Sequence, residues 1–174
     1  ELAGRVYVDL GKLYRDQRNF NQAIAAYQAA VEVAKTSKNL ETLGNTYLDT
    51  GLVYRDLGEY QKALEFYRQA LATGQETKDK ELVGTAQLEI GRAYRELNQY
   101  TEAINTYQEA LITAESAGQA VLKTRAYSGL ADVYRASGDH QQALENYNQA
   151  LALARNQENS ELENELLGQL AKVY

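Results

Sequence analysis

The sequence predicts an all-α solenoid built from repeated antiparallel helical hairpins. Three observations carry this. Tyr14, Tyr54, Tyr94, Tyr134 and Tyr174 fall 40 residues apart without drift, and Gly11, Gly51, Gly91, Ala131 and Ala171 keep a second register of the same period. A fixed period in this range marks a stack of supersecondary units. The 174 residues contain no Pro and are rich in Ala, Leu, Glu, Gln, Lys and Arg, which favours helix throughout. Each period holds two stretches of three-to-four spacing separated by polar breaks.

In the first period, Leu2, Val6, Leu10, Leu13 and Tyr14 form an amphipathic pattern that predicts a helix over about 1–17. It breaks around Arg18-Asn19, and equivalent breaks fall at Leu57-Gly58-Glu59, Leu97-Asn98-Gln99 and Ser137-Gly138-Asp139. Gly and Asn accept the left-handed conformation that closes a helix, and Asp139 suits the cap of the next one. Arg18 is the odd member, since it must adopt either strain or a different turn. The second helix spans about 20–36, with Ile24, Tyr27, Val31 and Ala34 on one face. Polar loops then follow at Thr36 to Asn39, Thr77 to Asp79, Ser116 to Gly118 and Asn156 to Ser160. The chain therefore divides into units of about 1–40, 41–80, 81–120 and 121–160, with the first helix of a fifth over 161–174. It reads as one array and as a piece of a longer protein. The small residues in the Gly11 register are expected to face Ala23, Ala63, Ala103 and Ala143 for close helix approach. The tyrosines are expected to fill the space between units, each burying about 150–250 Å².

Composition narrows the function. A net charge of -6 and a pI of about 4.9 argue against phosphate-directed nucleic-acid binding and against docking on an anionic membrane. No apolar run approaches the roughly 20 residues of a membrane span, so no membrane insertion is expected. Without Cys there is no thiolate metal site and no cysteine nucleophile. The absence is compatible with a cytoplasmic location. No phosphate-cradling Gly loop or zinc spacing occurs, and carboxylates a repeat apart do not converge on one cation. No cofactor and no catalytic residue are therefore expected. His140 stands in the slot of Phe20, Tyr60 and Tyr100 and reads as a packing substitution at a hairpin corner.

The pattern Tyr7-x2-Leu10-Gly11-x2-Tyr14, followed by Ala23-x3-Tyr27 and Ala30, resembles the tetratricopeptide repeat. The second unit, from Gly51 to Tyr60 with Ala63, Leu64 and Tyr67, is closer still. The resemblance covers the whole chain. The period is longer than the family's usual 34 or so. Tyr7, Tyr47, Gln87 and Tyr127 replace a frequent Trp, and Lys35, Gln75, Glu115 and Arg155 replace a frequent Pro. The longer period is similar to arrays in signalling scaffolds such as kinesin light chains and cell-polarity adaptors.

The resemblance implies a right-handed superhelix whose first helices line a concave groove that captures a peptide or helix of a partner protein. By position the groove rows are Arg5, Asn45, Thr85 and Arg125; the mostly apolar Val8, Leu48, Leu88 and Ser128; the mostly acidic Asp9, Asp49, Glu89 and Gly129; the mixed Lys12, Leu52, Arg92 and Asp132; and Arg15, Arg55, Arg95 and Arg135. The family's carboxylate clamp for chaperone tails finds only Val8, Lys12 and Asp49 at its positions, which argues against that ligand.

Two readings of the arginine row stay open. The guanidiniums hold acidic side chains of a ligand bidentately, or each pairs with an acid of a neighbouring repeat and neutralises the stack. The apolar stripe is likewise either an exposed strip for a partner helix or the edge of the core, and Asp9, Asp49 and Glu89 are placed to pair with Lys12 and Arg92 along the helix surface. The function expected is a non-catalytic interaction scaffold. Its rivals are a self-assembling array that stacks through uncapped ends and a sensor or targeting arm of a larger enzyme.

Overall fold

The structure, a computed structural model, describes residues 2–173; Glu1 and Tyr174, the latter the last member of the tyrosine register, lie outside the described residues. Among the described residues are α1 Leu2–Asp16, α2 Phe20–Thr36, α3 Leu40–Asp56, α4 Tyr60–Thr77, α5 Lys80–Glu96, α6 Tyr100–Ala117, α7 Ala120–Ser137, α8 His140–Asn156 and α9 Ser160–Leu170, with no strand. The fold is all-α, built of antiparallel helix-turn-helix repeats, and the second helix of the first period covers the predicted 20–36. The chain divides into two compact units, 1–86 and 87–174, with the boundary inside α5.

The turns follow one design. Arg18, Lys38, Gly58, Lys78, Asn98, Gly118, Gly138 and Glu158 all have positive φ, between 53° and 87°, one every 20 residues. In each turn the next N–H reaches back five residues, as Asn19 N–H donates to Tyr14 O at 2.8 Å and Asp139 N–H to Tyr134 O at 2.9 Å. This is a Schellman closure, which satisfies carbonyls that a helix end leaves unpaired. The residue that closes one helix also opens the next, since Asn19 O accepts from Ala23 N–H at 3.0 Å. The question raised by Arg18 is thus answered: it takes the left-handed conformation, as do Lys38, Lys78 and Glu158. The side chains of Asn39, Asp79, Asp139 and Asn159 cap the following helices through Thr42, Leu82, Gln142 and Leu162 N–H groups.

In the first unit, Ala23, Tyr27 and Val53 form a buried cluster with Val8, Tyr14, Phe20 and Ile24 against it. A second cluster joins Ala70, Leu82 and Ala86, with Tyr47, Leu48 and Leu71 partly buried on it. The partner expected for the small residue on the first helix changes here. A Cβ built at Gly11 meets the ring of Tyr27, so the missing side chain at this register makes room for the tyrosine of the same hairpin.

In the second unit one cluster includes Leu88, Ala103, Tyr107, Ala110, Ala114, Leu122, Ala126, Leu130 and Val133. Another joins Ala131, Tyr147, Ala150, Leu151, Ala154 and Leu166. Tyr107 is held between Gly91 and Gly129, both of which would touch its ring if they carried a Cβ. His140 corrects the expectation of packing, because it opens α8 as an exposed residue.

Candidate functional site

In the first unit α1 and α3 enclose a concavity of about 620 Å³, lined by Arg5, Val8, Asp9, Lys12, Asn45, Leu48 and Asp49 of the predicted rows, and by Leu2, Val6, Glu41 and Thr42. The period explains why these residues converge. Positions 40 apart occupy equivalent places on consecutive first helices, so two rows of polar groups flank a Val8–Leu48 floor. Val8 and Leu48 are half-buried, each packed on a core cluster below and open to the concavity above. Arg5 and Asn45 are exposed at the rim.

The charges inside are organised between repeats. Lys12 Nζ lies 3.5 Å from Asp49 Oδ2, a contact from α1 to α3 instead of the one expected along a single helix with Asp9. Burial pushes the Asp49 carboxyl above its ordinary value, partly offset by Lys12 and Arg15. Beneath it the buried Tyr27 hydroxyl has no hydrogen-bond partner, and its pKa is raised by burial and by Asp49. In the second unit the expected same-helix pair does form, with Arg92 Nη1 3.2 Å from Glu89 Oε1.

The arginine row is engaged by the array's own carboxylates. Arg15 Nε donates to Asp56 Oδ2 at 2.7 Å, and Arg55 Nη2 donates to Asp56 Oδ1 at 2.9 Å. Burial raises the Asp56 carboxyl, but hydrogen bonds from Arg15 and Arg55 outweigh it and hold the group below its ordinary value. Arg95 Nη1 donates to Asp132 Oδ2 at 2.7 Å and its Nη2 to Glu96 Oε1 at 2.6 Å. Arg135 Nη2 stands 3.6 Å from Asp132 Oδ1. Asp56 and Asp132 each face two arginines, and Arg15 and Arg95 tie one hairpin to the next. Of the remaining predicted residues, Leu52 is half-buried, Arg125 is exposed, and Leu88 lies buried in the second unit's core.

Two features escaped the sequence. Tyr147 donates its hydroxyl to Asp132 Oδ1 in a short hydrogen bond, and burial together with that carboxylate pushes its pKa up to about 12. The tyrosine register treats Tyr147 and Tyr27 alike, and the available signal was Asp132, a carboxylate in the row of Lys12, Leu52 and Arg92. A second concavity of about 400 Å³ in the first unit is lined by Gln28, Val31, Tyr47, Thr50, Phe66 and Gln69 among others. Its available signal was Phe66, an aromatic where Ala26, Thr106 and Asn146 occupy the register, stacked on Tyr54 with ring centroids 5.3 Å apart. Among the described residues no cluster of His, Cys, Asp and Glu could hold a metal ion, and no helix is long and apolar enough to cross a membrane.

No curated protein matches the chain. Solved structures do. A Signal Transduction ATPase with Numerous Domains from Pyrococcus horikoshii, with a tetratricopeptide repeat sensor, superposes with a TM-score of 0.87 at 20% identity over 98% of this chain and 27% of that one. A Rap protein complexed with competence and sporulation factor gives 0.83 at 18% identity over 99% of this chain and 48% of that one. A kinesin light chain protein of Podospora anserina with nearly identical TPR-like repeats gives 0.79 at 21% identity, 98% of this chain and 84% of that one. The chain thus spans well under two thirds of the first two proteins' lengths, and at these identities the likeness is one of fold. The sequence profile of the tetratricopeptide repeat matches residues 2–76, 42–116, 82–156 and 122–174. Those overlapping matches run along nearly the whole sequence, and the chain belongs to the tetratricopeptide-repeat family.

Proposed function

We propose that the chain is a non-catalytic interaction scaffold and that the concavity between α1 and α3 holds a short segment of a partner protein. The observation that supports this most is the composition of the concavity: a half-buried Val8–Leu48 floor beneath the exposed polar groups Arg5 and Asn45. An apolar side chain of the ligand covers the floor, while Asn45 hydrogen-bonds ligand backbone and Arg5 meets an acidic side chain. The arginines at 15, 55, 95 and 135 belong to the array's framework in this reading, because their donors already face Asp56, Glu96 and Asp132.

The experiment is selection of a displayed peptide library on the purified chain, followed by titration of a selected peptide against the native protein and Leu48→Glu. The reading requires affinity to fall by about tenfold or more in the variant, since one desolvated contact at a binding centre contributes on that scale. Selected peptides that bind both proteins equally would contradict it. The second reading, a sensor arm of a larger protein, draws on the P. horikoshii ATPase, whose repeats are described as a sensor. A catalytic domain in the same reading frame would favour it, and the concavity would then be the sensing site.

A further inference from the structure

We propose that the second concavity, formed by α2, α3 and α4, is a separate ligand site for a small neutral aromatic molecule carrying one ring N–H donor, of the indole type. Its volume is about 400 Å³, and none of its lining residues belongs to the α1–α3 concavity. It lies within the first compact unit. That volume falls at the lower end of the roughly 300–1,000 Å³ of clefts that enclose small molecules.

Two departures from the period meet in this hollow. Thr50 stands where Leu10, Ile90, Leu130 and Leu170 hold the register, so a large apolar side chain is exchanged for a smaller one with a hydroxyl. Phe66 stands where Ala26, Thr106 and Asn146 hold it, so a small side chain is exchanged for a ring. A gain and a loss of volume that merely compensated one another would close the space between them. Here the space stays open, because Phe66 stacks on Tyr54 with ring centroids 5.3 Å apart and interplanar angle 10° and does not fill it.

The lining specifies the ligand. Phe66 and Tyr47, both half-buried with centroids 6.4 Å apart and planes tilted by 43°, make an aromatic corner, and Val31 adds an apolar wall. A flat ring packs against such a corner by offset or edge contact. Thr50 is 2% exposed, and its Oγ1 donates to Thr46 O at 2.7 Å. Its proton is thus committed, and towards a ligand the hydroxyl only accepts. Glu32 and Lys35, the two charged residues of the lining, face each other at 3.6 Å and leave neither charge seeking a counter-ion. A neutral ring with a donor and no acceptor on its edge answers all three conditions, and indole is such a ring.

The test titrates indole with the whole chain and follows indole fluorescence, which reports the ligand alone because the chain has no Trp. Saturable binding is expected, and 1-methylindole, which lacks the donor, should bind about three- to tenfold more weakly. Thr50→Val keeps the shape and removes the acceptor, so it should bind the two compounds alike. Thr50→Ile and Phe66→Thr give the hollow the residues of the third period and should lose saturable binding, with circular dichroism establishing that each variant folds. Absence of saturable binding to the native chain would overturn the proposal, as would equal native affinity for indole and 1-methylindole, which needs no variant. Unchanged indole binding by folded Thr50→Ile would place the ligand elsewhere and overturn it too. N-acetyltryptophanamide binding about tenfold or more tighter than indole would overturn the small-molecule assignment in favour of a polypeptide side chain.

Discussion

The ring of Tyr27 fills the space that a side chain at Gly11 would need, since a Cβ built at Gly11 falls 2.5 Å from the ring. Gly51 and Tyr67, and Gly91 and Tyr107, repeat the relationship. The glycine register is thus a set of seats for a buried aromatic, which explains why a residue that weakens helices recurs in mid-helix.

Gly11→Ala must displace a fully buried tyrosine and should destabilise the chain by about 1–3 kcal/mol. Gly168→Ala offers the contrast, because a Cβ there meets nothing within 4 Å. It should stabilise by about 0.5–1 kcal/mol through helix propensity. Urea unfolding followed by circular dichroism reads both signs.

The phenol hydroxyls separate in the same way. Tyr27 buries its hydroxyl without a partner, so Tyr27→Phe should be neutral or stabilising by up to about 1 kcal/mol. Tyr147 donates to Asp132, so Tyr147→Phe should cost about 1–2 kcal/mol. Equal effects of the two substitutions in thermal unfolding would remove the distinction.

Each turn holds one left-handed residue, and glycine occupies only some of these places. Lys78, with φ 59°, carries a side chain where Gly118 and Gly138 carry none. Lys78→Gly should therefore stabilise by about 0.5–1 kcal/mol, the relief of left-handed strain exceeding the added freedom of the unfolded chain. Gly138→Ala should destabilise by about 1 kcal/mol. The midpoints of chemical denaturation should shift in opposite directions.

The repeat, the hairpins and most turn positions were legible in the sequence because the period fixes which residues share an environment. That logic covers Val8, Leu48 and Asn45, whose places in the concavity follow from a 40-residue offset. It fails where one register holds different contacts. Lys12 reaches Asp49 on the next repeat, although Asp9 lies three residues away on its own helix. Asp132 gathers Arg95, Arg135 and Tyr147 because it replaces Lys12, Leu52 and Arg92 in its row and alone brings a carboxylate there. The exposure of Leu2, Val6 and Leu13 was not legible either, because their spacing is that of core residues.

The shared carboxylate of Asp56 gives a pH prediction. Its folded pKa lies below the ordinary value of 3.8, so the folded state holds the proton less tightly than the unfolded chain does. The stability it contributes is fully present above that value and is lost as pH falls through the folded pKa. Asp56→Asn should cost about 1 kcal/mol at neutral pH, as befits a partly exposed pair. The difference from the native chain should vanish once the pH is below the folded pKa, and unfolding curves across the acid range report it.

The central claim concerns the Val8–Leu48 floor. It is tested most directly by the dissociation constant of a library-selected peptide for the native chain against Leu48→Glu, with Leu13→Lys as a folded control. A loss of about tenfold or more in Leu48→Glu alone is the predicted result. Equal affinity for the native chain and Leu48→Glu would contradict the account and move the binding site away from the concavity between α1 and α3.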